Sequence, residues 1–171
     1  MRRAGVTVLL VLISFLLQTT LFHYIELAGV IPNLLLIITV FTGYINGRTP
    51  GIAVGLFCGL ILDGQYGSTI GLYALIFMTI GYLNGLCNRI FYREDTMMPL
   101  TLVAVSEFVY GILVFVLEFL LRGRLNLGYY FVRVMMPELI YTLVMAILMY
   151  KLVLWLYKIV EHPKTGGDML C

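Results

Sequence analysis

"GRTPGIAVGLFCGLILDGQYGSTIGLYALIFMTIGYLNG", residues 47–85, is the stretch on which the fold turns. It reads as two apolar helices, and between them an aspartate, Asp63, stands among glycines. The flanks are hydrophobic enough for lipid, where an ionised acid is expensive. Gly51, Gly55, Gly59 and Asp63 are each four residues apart, so all four share one face of a helix. Small residues at that spacing let a neighbouring helix approach closely. The face therefore turns Asp63 toward protein and away from lipid. Two roles stay open for it. One is an ion- or ligand-binding carboxylate, the default reading of an acid within a membrane. The other is architectural: Asp63 ends the helix and accepts N–H groups of the turn "GQYGST". The surrounding turn residues favour the second role. Ser68 or Thr69 would then cap the next helix, and Gly67, Gly71, Gly81 and Gly85 give that helix similar close-packing surfaces.

Composition extends this reading to the whole chain. Of 171 residues, 61% are hydrophobic and 12% charged, with a mean hydropathy of +1.01. A soluble domain averages roughly 45–50% apolar and about 25% charged. The chain is therefore expected to be an all-α polytopic membrane protein, with no sizeable water-soluble domain. A net charge of +2, scattered along the sequence, gives no stripe for nucleic acid. Cys58, Cys87 and Cys171 share no short spacing, and with only His23 and His162 beside them they make no Cys/His metal site. They read as small hydrophobes.

A spanning helix needs about 20 mainly apolar residues, and six candidates lie at 4–23, 31–47, 50–63, 69–87, 98–121 and 130–157. Together they form one transmembrane domain, 1–160, followed by a polar cytoplasmic tail, 161–171. The first begins like a signal peptide, but no small-residue cleavage site closes it, so it is read as a retained helix. Only "NGRTPG" separates the second and third, which predicts a tight antiparallel hairpin with Pro50 in the first turn of the third helix. Placing both termini in the cytoplasm puts Arg2, Arg3, Arg48, Arg89, Arg93, Lys151, Lys158 and Lys164 inside and leaves Arg122, Arg124 and Arg133 outside. That asymmetry is the expected one. Tyr24, Tyr44, Tyr66, Tyr92, Tyr129, Tyr130 and Tyr157 fall toward helix ends, as an interfacial belt requires.

Three further acids lie in apolar stretches. Glu107 and Glu118 share a face of the fifth helix, and Glu118 has Arg122 one turn on as a pairing partner. Glu107 and Glu138 each lie roughly 12–14 Å from their helix starts at 1.5 Å per residue, which places both near the midplane. If their helices face each other, the two carboxyls could share a proton, as a transporter would use. The plainer reading is a protonated Glu bonded to a tyrosine or a backbone carbonyl. Enzyme signatures are missing: no G-x-S-x-G, H-E-x-x-H or Walker sequence occurs. No catalytic, cofactor or metal residue is assigned. The candidates for structural or interaction roles are Gly51, Gly55, Gly59, Asp63, Glu107 and Glu138.

Taken in order, "QTTLF", "GVIPNLLLIITVFTGYINGRTPGIAVGLFCGLILD" and "STIGLYALIFMTIGYLNG" resemble the bacterial rod-shape-determining MreD family. That family has a similar P-N-L-L-L helix, a glycine-rich helix ending G-L-x-x-D and a following G-x-x-A-L helix. Pro137, opening "PELIYT", also fits. The resemblance implies a multi-pass protein of the bacterial inner membrane, within the machinery that elongates the cell wall. The implied partners are a bitopic MreC-like protein, an MreB-like filament, and a RodA-type glycosyltransferase with its penicillin-binding partner, all among membrane lipid. It also implies a fold like the six-helix substrate-binding components of energy-coupling-factor vitamin transporters. The expectation is a non-enzymatic adaptor required for cell shape, and the alternative is a vitamin-binding transporter subunit. The family supplies no catalytic residue to carry over.

Overall fold

A computed structural model of the chain describes residues 2–21, 31–66, 71–90, 97–122 and 131–161, and among them six α-helices and no strand occur. Helix α1 (Arg2–Leu16) continues into a π turn, Leu17–Leu21. Helices α2 (Leu34–Asn46) and α3 (Arg48–Tyr66) follow, then α4 (Leu72–Leu86), which ends in a 3-10 turn, Cys87–Ile90. Helix α5 is Met97–Arg122, and α6 is Met136–Glu161, entered through a π turn at Phe131–Met135.

Helix α2 is the axis of the fold. Its sequence, LLLIITVFTGYIN, has no polar side to offer a solvent, and every residue from Leu34 to Tyr44 is buried. Each of the other five helices packs against it. Thirteen residues make a helix only about 20 Å long, short of the ~30 Å hydrocarbon core. Such a helix needs other protein around it. Asn33 caps the N-terminus, its Oδ1 accepting the N–H of Leu36 at 3.2 Å. At the other end Gly47 takes φ +95° and donates its N–H to the Gly43 carbonyl at 2.9 Å. Gly47 is the sole residue between α2 and α3, so the expected hairpin is tighter than "NGRTPG" suggested. Pro50 sits in the first turn of α3, where no intrahelical N–H is lost.

Helices α3 and α4 make the closest pair. Their outward and lipid-directed surfaces differ from this dry contact. Leu75 on α4, Leu9 and Leu16 on α1, Val105 and Ile112 on α5, and Ile140, Leu148 and Trp155 on α6 are all exposed. So many large apolar side chains turned outward suit a hydrocarbon solvent, and in water they would form adhesive patches. Two stretches, Met97–Leu117 and Met136–Val153, are long and apolar enough to cross a membrane, while Gly5–Thr20, Leu34–Asn46 and Leu72–Leu86 are shorter apolar helices.

The helix bounds differ in places from those read in the sequence. Helix α3 runs three residues past Asp63, to Tyr66, since Gly64 and Gln65 continue the helix and no turn begins at the acid. Tyr44 does not belong to an interfacial belt: it is 0% exposed near the C-terminal end of α2, because that helix is enclosed almost to its last turn. The other expected belt tyrosines, together with Ser68, Thr69 and the tail from residue 162, lie outside the described residues and side chains. Cys58 is buried and Cys87 half-buried.

Candidate functional site

The glycine face of α3 meets backbone at every step. A Cβ added to Gly51 would stand 2.5 Å from the Gly81 carbonyl oxygen and 2.9 Å from the Cα of Gly43, so three helices converge where none has a side chain. One turn on, a Cβ at Gly55 would run into the Phe77 carbonyl, and one at Gly59 into Ala74. From the opposite side, Gly81 meets the backbone of Gly51, and Gly85 meets Arg48. Close approach of this kind supplies dense dispersion contacts where lipid gives no hydrophobic drive to association. The face is filled from within the chain.

Asp63 completes that face. It is 3% exposed, and its two oxygens divide between two backbone donors: Oδ1 accepts the N–H of Tyr73 at 2.9 Å and Oδ2 that of Ala74 at 3.1 Å. Both donors belong to the first turn of α4, whose N–H groups have no partner within their own helix. The residue at the cap position, Gly71, has φ +100° and offers no side chain. Asp63 therefore caps α4 from the neighbouring helix, with its negative charge at the positive end of the helix dipole. The donors lie beyond the "GQYGST" turn, on the helix itself.

A second set of polar groups ties α2 to its neighbours. The Asn33 N–H donates to Thr142 Oγ1 of α6 at 3.1 Å. At the far end Asn88 Nδ2 donates to the carbonyls of Tyr44 and Ile45, at 2.7 and 2.9 Å. Between α4 and α5, Asn84 Nδ2 donates to Ser106 Oγ at 2.8 Å and also to its own helix at Ile80. Three asparagines thus anchor helix ends or cross helices, which keeps buried amides satisfied. Sequence reasoning passed over Asn84, Asn88 and Thr142. The available signal was a polar side chain, amide or hydroxyl, in or beside an apolar run; for Asn33, it was a capping residue immediately before "LLLII".

Glu107 lies on α5 and Glu138 on α6, two helices that pack on each other. Glu107 is 3% exposed and Glu138 half-buried. Thr142 stands one turn along α6 from Glu138, and its hydroxyl is the acceptor of the Asn33 N–H. Yet neither Glu107 oxygen closes a hydrogen bond of full geometry, so the tyrosine or carbonyl partner expected from the sequence does not meet it. Met135 packs on Gly111, one turn along α5 from Glu107, its side chain 3.1–3.2 Å from where a Cβ on that glycine would be. The side chains of the expected Glu118–Arg122 pair lie outside those described. Among the described residues no group of three or more His, Cys, Asp or Glu gathers to hold a metal.

Buried amides, a remote carboxylate cap and a backbone-to-backbone glycine contact, within an outward-facing apolar shell, define an all-helical membrane protein. Its polar groups serve mainly to join helices. The chain belongs to the family of the rod shape-determining protein MreD, whose model matches residues 1–160. Membership places it among the components of rod-shape determination and of the elongation machinery. No curated protein and no solved structure matches the chain significantly.

Proposed function

We propose that the chain is a non-enzymatic, multi-pass adaptor of the bacterial inner membrane that supports cell-wall elongation through an MreC-like bitopic partner. All six helices cross the bilayer in this reading, both termini are cytoplasmic, and the bundle is of the kind found in vitamin-binding transporter components. The MreB-like filament and the RodA-type glycosyltransferase with its penicillin-binding partner are reached through that partner. The observation that carries the reading is the family match over residues 1–160. Packing supports it. The glycine face of α3 is consumed by α4, whereas 28% of Met97–Leu117 and 22% of Met136–Val153 is buried within the chain. Those outer faces are where a single partner helix would find room.

Affinity purification of the tagged protein from native membranes tests the proposal. The MreC-like protein should copurify, and depletion should turn rods into rounded cells. Copurification of an ATPase module together with a vitamin-like ligand, with shape unaffected, would replace the adaptor by a transporter subunit.

A further inference from the structure

Lys151 is exposed on the outward face of α6, in one stripe with the exposed Val144, Leu148 and Trp155. Its depth follows from α2. The N–H of Asn33 meets Thr142 Oγ1 at 3.1 Å, and the rings of Phe41 and Tyr150 meet edge-on with centroids 5.4 Å apart. The two contacts are eight residues apart on either helix, so α2 and α6 run parallel and in step. Trp155 then stands level with Asn46, the last residue of α2. Just beyond Asn46 the chain turns at Gly47, and Arg48 and Thr49 are exposed. A cation open to its surroundings there marks the edge of the hydrocarbon layer. Lys151 lies one turn, about 6 Å, inside that edge.

An ammonium so placed ordinarily extends its four-carbon stem to the headgroups. On α6 that reach runs against the helix. Side chains lean toward the helix N-terminus, which here is the Thr142 side, away from the near edge. Lys151 must double back to reach water, so an anion drawn inward to it is favoured. The described acids do not supply one. Asp63 caps α4, Glu107 is buried in the bundle, and Glu138 stands roughly 20 Å back along α6 at 1.5 Å per residue. Above the ammonium, the exposed Val144, Ile147 and Leu148 offer an apolar track. We propose, on the reading that α6 crosses the bilayer, that this face binds an anionic phospholipid. Its phosphate lies on the Lys151 ammonium and the Trp155 indole N–H, and an acyl chain follows Leu148 and Val144. A headgroup of net negative charge neutralises the ammonium, whereas a zwitterionic one brings a cation of its own.

Trp155 is the sole tryptophan of the chain, so its fluorescence reads this site alone. The test places the full chain in phosphatidylcholine nanodiscs that carry either brominated phosphatidylglycerol or brominated phosphatidylcholine at equal mole fraction. Bromine on an acyl chain quenches the indole by contact. In the wild type, phosphatidylglycerol should occupy the site about fivefold more often per molecule, the ratio that one basic residue beside an anionic lipid gives. Lys151→Gln should bring the ratio close to one, and Lys151→Arg should keep it. Arg48→Gln, at the same edge but on α3, should leave it unchanged. Equal quenching by the two lipids in the wild type overturns the proposal while leaving α6 in lipid. An equal loss in Lys151→Gln and Arg48→Gln also overturns it, since a diffuse surface field would then account for the preference. Quenching by neither lipid overturns it and assigns the face to another protein segment. The adaptor role stands or falls separately, on copurification.

Discussion

Asp63 and Ala74 are joined twice over: the aspartate Oδ2 accepts the Ala74 N–H at 3.1 Å, and one turn before Asp63 the bare backbone of Gly59 presses on the same alanine. Close approach and capping depend on each other here. Without a glycine at 59 the helices would stand too far apart for a carboxylate as short as aspartate to reach the α4 backbone. Without the carboxylate, the first turn of α4 would be buried against α3 with unpaired donors.

The two-oxygen cap predicts a graded series at Asp63. Asn keeps one acceptor but turns an NH2 toward the second N–H, and Leu keeps none. A buried donor left unmatched costs about 1–3 kcal/mol. Asp63→Asn should therefore retain most folded protein with a lowered melting temperature, and Asp63→Leu should lose abundance and shape complementation together. Thermal melting in detergent and membrane abundance read the order. A normally folded but inactive Asn variant would instead assign Asp63 to ligand binding.

At Gly55 the obstacle is the Phe77 carbonyl and the Met78 nitrogen, which are backbone and cannot rotate aside. Gly55→Leu must separate α3 from α4, and overpacking costs about 1–3 kcal/mol or more. Leu60 lies off this face and is exposed, so Leu60→Ile should stay within about 1.5 kcal/mol. Equal melting of the two variants would contradict the tight contact.

How far the sequence disclosed this arrangement depended on periodicity. The four-residue repeat from Gly51 to Asp63 identified a face, because a repeat encodes direction on a helix. It did not identify the donors to Asp63, since Tyr73 and Ala74 contribute backbone N–H groups that leave no mark in the sequence. The central place of α2 was implicit in a run with no polar side. The Asn33–Thr142 link was not visible: it joins residues 109 positions apart, and either one alone is an ordinary polar residue. Glu107 and Glu138 were recognisable as costly acids, but that their helices pack on each other could not be read from either one alone.

The basic residues predict topology. Reporter fusions after Arg48, Arg93 and the C-terminus should read cytoplasmic, and fusions near Gly29, Gly67 and Arg124 external, because loops rich in Lys and Arg resist translocation. An external reading at the C-terminus would remove one of the six proposed crossings.

Thr142 offers a test of the central helix that leaves its apolar core untouched. The hydroxyl is fully buried and accepts the N–H of Asn33, itself only 4% exposed, so no water stands ready to replace it. Thr142→Val keeps the volume and removes the acceptor, leaving the Asn33 N–H unpaired at the start of α2. The expected loss is about 1–3 kcal/mol, the usual penalty for a buried donor without a partner. Thr142→Ser restores the acceptor while giving up a methyl group, so it should recover most of that loss and retain only a small cavity penalty. The decisive comparison is the order of melting temperatures: wild type above Ser, and Ser above Val. If Val melts with the wild type and Ser below both, the methyl group matters and the hydroxyl does not, and α2 is held by apolar packing alone.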